Sequence, residues 1–132
     1  MATVLIIAAD TSIEALVGEL VTYVGHRPVY DATAGAAGES IRRIRPDVTV
    51  VDTALPRPVV DSCLGASDEV GSEPVLMSST DSAMELEQQA RSARRLYFAL
   101  PVGPKPLATV LDRALSKRAT PTPIAMPERR RA

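Results

Sequence analysis

Along the chain, short continuous apolar runs alternate with longer stretches in which apolar residues recur every three or four positions. ATVLIIAAD begins with such a run and stops at polar residues, the pattern of a strand buried on both faces. In TSIEALVGELVTYVG, Ile13, Leu16, Val17, Leu20, Val21 and Val24 recur at helical spacing, Thr11 with Glu14 has the form of a capping box, and Gly25 supplies a stop. RPVYDA then reads as a second strand, GESIRRI as a short helix with Ile41 and Ile44 inward, and DVTVVD as a third strand. Residues 57–73 are interrupted by Pro58, Gly65 and Gly71, so an irregular, partly helical connection is expected there. PVLMSS predicts a fourth strand, DSAMELEQQARSA a polar helix begun by Asp81 or Ser82, and LYFAL a fifth strand. In PKPLATVLDRALSKR, Leu107, Val110, Leu111, Ala114 and Leu115 share one helical face, and Pro104 and Pro106 suit a first turn, where no N–H is needed.

Five strands alternating with five helices call for right-handed crossovers and a single parallel sheet covered by helices. Composition agrees with a core of this kind. Apolar residues make up 45% of the chain while aromatics contribute only 3%, which points to Val, Leu, Ile and Ala packing. At 132 residues one domain is expected, spanning 1–118. After it, ATPTPIAMPERRRA has three prolines and no periodicity, so 119–132 is expected to be a disordered basic tail. Net charge is −1, divided between an acidic body and a tail in which residues 116–132 carry five Lys and Arg against one Glu.

Candidate chemistry is sparse. The only cysteine, Cys63, excludes an internal disulfide and reads as an apolar filler in a reducing compartment. His26 lies at a helix-to-strand turn and offers no catalytic partner. The turn AADTSIE has no glycine to cradle a phosphate, which argues against a nucleotide or flavin binder. No run is long enough for a signal peptide or a membrane span, and a cytoplasmic location is expected. Three arginines in PERRRA are too few to argue nucleic-acid binding, and the chain has no helix-turn-helix or zinc module.

PDVTVVDTALP, residues 46–56, is the most informative stretch. Pro46 and Asp47 precede the third strand, Asp52 closes it, and Pro56 follows four residues later. With the order of elements, this stretch resembles the receiver domain of bacterial two-component response regulators, over residues 3 to about 116. The resemblance implies a flavodoxin-like, doubly wound (βα)5 fold with strand order 2-1-3-4-5 and sites beyond the carboxyl ends of the strands. It places Asp52 at the phosphoacceptor position, Ser79 at the hydroxyl position ending the fourth strand, and Tyr97 at the aromatic switch position. It also implies a cis peptide before Pro101.

The same resemblance exposes three departures. Ala8 and Ala9 stand where receivers carry two magnesium-binding acids, and Asp10 comes one place too late. Leu100, before Pro101, stands where receivers carry a lysine. Assigning that role to Lys105 instead would stretch the strand through Pro101, Gly103 and Pro104 and leave no turn before Leu107, so Lys105 is expected in an exposed first helical turn. Asp52 is left nearly alone, with weak or no metal binding at Asp52 and Asp10.

The expected function is thus a stand-alone, atypical receiver: a non-enzymatic interaction module of two-component signalling, without a cofactor, that does not depend on phosphate. The alternative is a phosphorylation-competent receiver accepting phosphate at Asp52 from a histidine kinase, with magnesium in an unusual site that recruits Asp10. Partner contact, or a homodimer, is expected on the face of the fourth helix, fifth strand and fifth helix. There Arg91, Arg94, Arg95, Tyr97 and Arg113 alternate with Glu85, Glu87 and Asp112.

Overall fold

A computed structural model describes residues 1–30, 36–80 and 83–119. Its elements follow in the order β1 (Thr3–Ile7), α1 (Thr11–Tyr23), β2 (Arg27–Tyr30), α2 (Ala37–Ile44), β3 (Val48–Asp52), α3 (Arg57–Val70), β4 (Glu73–Ser78), α4 (Ala83–Ala93), β5 (Leu96–Ala99) and α5 (Pro104–Ala119). The five strands form one parallel sheet in the order β2-β1-β3-β4-β5. This is the doubly wound, flavodoxin-like arrangement that the resemblance to receiver domains implied.

Strand periodicity divides the core into two layers. Val4 and Ile6 of β1 join Val17 and Val21 of α1 and Leu107 and Leu111 of α5 on one side of the sheet. Leu5 and Ile7 join Ile41 of α2, Cys63 of α3 and Leu86 of α4 on the other. Because both faces are covered, β3 is buried along its whole length, Asp52 included.

Three sequence expectations are corrected here. First, residues 57–70 form a regular 14-residue helix rather than an irregular connection. Pro58 falls in the first turn, where its missing N–H costs nothing, and Gly71 takes the left-handed C-cap at φ 77°. Gly65 faces outward with open space around it, while Val60, Cys63, Ala66 and Ser67 face inward at helical spacing. Second, α1 is capped by Asp10, not by a Thr11 box: the Asp10 carboxylate accepts the N–H of Ser12 at 2.7 Å. Third, β4 ends at Ser78, and Ser79 lies one residue beyond it, exposed.

Gly25 does follow the end of α1, with φ 98°, and α5 begins at Pro104 as its prolines suggested. Asp31 and Ala32 of the predicted second strand, the predicted α4 caps Asp81 and Ser82, and the tail beyond Ala119 lie outside the described residues. No described helix is long and apolar enough to cross a membrane.

Candidate functional site

Parallel register brings the ends of β1, β3 and β4 to one edge of the sheet. Ile7 pairs with Val51 and Asp52 with Met77, so the residues after Ile7 meet the Asp52 carboxylate there. Asp52 is 2% exposed. Its Oδ2 accepts the backbone N–H of Ala9 at 3.1 Å, and its Oδ1 accepts that of Ala54 at 2.9 Å. The first bond spans 43 residues, and the second is an Asx turn closed within the Asp52–Ala54 step. Two backbone dipoles thus replace water around a carboxylate that burial would otherwise leave unsolvated.

Ala8 and Leu100 both pack against the layer formed by α1 and α5. The Leu100–Pro101 bond is cis, the Leu100 N–H donates to the Ser78 carbonyl at 2.8 Å, and Lys105 lies exposed in the first turn of α5. Leu100, not Lys105, thus directly follows β5 at this edge of the sheet. Ala9 is exposed and contributes only its main chain to Asp52.

The residues present do not fit magnesium. That ion wants an octahedron of oxygen ligands, commonly with one or two carboxylates. Ala8 and Ala9 bring no side-chain oxygen and Asp10 is engaged at the N-terminus of α1, so Asp52 gains no second carboxylate from the end of β1. Among the described residues, no group of three or more His, Cys, Asp or Glu is placed to hold a metal ion.

Ser79 sits at the same edge, and the neighbouring Ser78 hydroxyl accepts the Thr80 N–H at 3.2 Å. Tyr97 is half-buried and packs against the α2–α3–α4 layer. On the outer face, Arg95 departs from the sequence reading. It is not a free surface charge: its guanidinium forms a two-point pair with Asp68 of α3, at 2.9 and 2.8 Å. Arg91 pairs with Glu87 at 2.7 Å, while Arg94 and Arg113 are exposed and make no ion pair with any described residue. Sequence reasoning missed both the Ala9 main-chain donor and the Asp68 partner. The Asx turn at Asp52 was legible in principle from an Asp at a strand end.

No family model matches the sequence, and no curated protein matches it. Solved structures do match. A response regulator receiver domain protein from Clostridium thermocellum aligns with a TM-score of 0.73 at 13% identity, covering 89% of this chain and 97% of that one. A receiver domain protein from Methanospirillum hungatei JF-1 gives 0.71 at 21% identity, with 89% and 96% covered. A candidate pilus assembly protein from Burkholderia thailandensis E264 gives 0.70 at 24% identity, with 88% and 99% covered. Strand order, the buried Asp52 at the end of β3 and these alignments agree: the chain has the receiver-domain fold of response regulators.

Proposed function

We propose that this chain is a receiver-type module of two-component signalling that acts by docking to a protein partner in the cytoplasm and does not depend on phosphate at Asp52. The observation that carries this reading is the setting of Asp52, each of whose oxygens accepts a backbone N–H group, in a chain that has Ala8, Ala9 and Leu100 at the acid and lysine positions. Phosphoryl transfer to a carboxylate asks the protein for positioning and for charges that stabilise the transferring group. Here no side chain at the acidic-pair positions can hold a metal, and no ammonium takes the lysine position. A carboxylate already satisfied by the main chain is also a structural group in its own right.

Docking then falls to the α4–β5–α5 face. Arg94 and Arg113 provide positive charge on it that no described residue pairs, and Tyr97 lies on β5, between them in the chain. Complementary charge steers encounter more than it adds affinity.

Intact mass after incubation with acetyl phosphate and magnesium tests the first half of the reading. The expected result is an unchanged mass. A stoichiometric phosphoryl adduct that disappears in Asp52→Asn would overturn it and restore a phosphate acceptor, with Asp10→Ala then testing recruitment of Asp10 to a metal. For the second half, Arg94→Glu alone is the cleaner probe, because reversing Arg95 would also break its pair with Asp68. Partner recovery in a pull-down should fall, and undiminished recovery from Arg94→Glu and Arg113→Glu would remove this face from the reading.

A further inference from the structure

We propose that the outer edge of β5 takes up an extended, acidic segment of a partner protein as a sixth strand. This rests on the reading of the α4–β5–α5 face as the docking surface, and specifies how docking occurs there.

β5 ends the sheet, with β4 on one side only. The Leu100 N–H donates to the Ser78 carbonyl, so by strand alternation Leu96, Phe98 and Leu100 turn their main-chain groups toward β4. The N–H and C=O groups of Tyr97 and Ala99 therefore face the open edge. A trough of about 480 Å³ follows that edge. Five consecutive residues, Arg95 to Ala99, line it, which marks the strand's rim rather than one face, because a face would expose only alternate residues. Val102, Pro106 and Val110 form an apolar wall along it. An extended peptide would pair its main chain with Tyr97 and Ala99 and lay alternate side chains into the trough.

Charge selects the partner. Arg113 lines the trough and Arg94 stands just before the strand, neither paired with a described residue, whereas Arg91 and Arg95 are neutralised by Glu87 and Asp68. No described Asp or Glu lines the trough; Asp112 lies in the adjoining depression, which shares Leu96 and Arg113 with it and also holds Lys117. A second copy of this chain paired trough to trough would set Arg113 against Arg113. A segment with carboxylates flanking two or three small apolar residues fits instead.

The test uses the full chain and a capped synthetic peptide, Glu-Val-Thr-Val-Thr-Glu, followed by amide hydrogen exchange. With peptide at about ten times its Kd, exchange at Tyr97 and Ala99 should slow about tenfold, while Phe98 and Leu100, already bonded to β4, stay unchanged. Arg113→Glu should weaken binding about two- to fivefold, and a version of the peptide with lysine in place of glutamate should bind worse. Unchanged rates at Tyr97 and Ala99 with millimolar peptide, or protection confined to α4 or α5, would overturn strand addition. Phosphate uptake at Asp52 would instead sink the wider functional reading and leave these amide rates as they are, so the two failures are distinguishable.

Discussion

Arg95 at the entry to β5 and Asp68 in the last turn of α3, 27 residues apart, are joined by a two-point ion pair at 2.9 and 2.8 Å. The Arg95 side chain is 20% exposed and its Nε is enclosed without a hydrogen-bond partner, so the guanidinium is held inward by Asp68 alone among the described residues. The hydrogen bond to Asp68, assisted by the charges of Asp68 and Glu73, raises the Arg95 pKa above the ordinary guanidinium range against the opposing effect of burial. A raised basic pKa contributes stability that is complete below the unfolded value and is lost only as pH climbs through the folded one. For an arginine that window lies beyond any pH at which the protein would be handled.

Asp68→Asn should therefore destabilise the fold at neutral pH by about 1–2 kcal/mol, a value kept low because the Asp68 side chain is 54% exposed. Urea unfolding measures it. Added salt should shrink the difference between the two proteins, and an equal loss at all ionic strengths would contradict an ion-pair origin.

At Asp52 the expected sign is loss. Asp52→Ala would remove the acceptor of the Ala9 and Ala54 N–H groups, at about 1 kcal/mol because both residues are exposed and water can replace it, while Asp52→Asn keeps one acceptor and should fall in between. A crowded acidic site would respond the other way, gaining stability when one carboxylate is removed. Thermal unfolding of the two variants separates these cases.

Restoring the missing groups tests the proposal that Asp52 does not take up phosphate. The triple variant Ala8→Asp, Ala9→Asp, Leu100→Lys should bind magnesium and gain a phosphoryl group from acetyl phosphate, with the native chain as the unreactive control. Leu100 is only partly buried against the α1–α5 layer, so a lysine there can keep its stem packed and its ammonium outward. No metal-dependent change in the triple variant would mean that the three positions are not what the proposed silence of Asp52 rests on.

Packing between α2 and α3 makes a separate prediction. A Cβ at Gly38 would lie 2.8 Å from the Ser62 Oγ. Gly38→Ala alone should thus lose most of the helix-propensity gain of about 1 kcal/mol, and adding Ser62→Ala should recover it. A double-mutant cycle should give a coupling of about 0.5–1 kcal/mol, and simple additivity would contradict the contact.

Much of the fold was legible because each strand is short, apolar and flanked by polar or turn residues. The helix α3 was not, since Pro58, Gly65 and Gly71 look like breakers until their positions within the helix are known: first turn, outward face and C-cap. A residue's effect on a helix depends on its place in that helix, and local composition does not give the place. The cap of α1 failed for a similar reason, because Asp10 and Thr11 are both good N-caps and only backbone geometry selects between them. Arg95 read as a surface charge because its partner sits on another element.

The amino-acid sequence by itself determined the order of strands and helices, the apolar residues at the acid and lysine positions, and Asp52 as the one acid closing the third strand. These are properties of residue identity and spacing, and they survive any detail of packing. Only the tertiary structure decided that each Asp52 oxygen accepts a main-chain N–H, that Arg95 is bound to Asp68, and that β5 ends the sheet among the described residues. The Ala9 bond to Asp52 and the Asp68 bond to Arg95 join atoms far apart in the chain, and strand order sets which strand lies at the edge, so sheet register and helix packing fix them where local pattern does not.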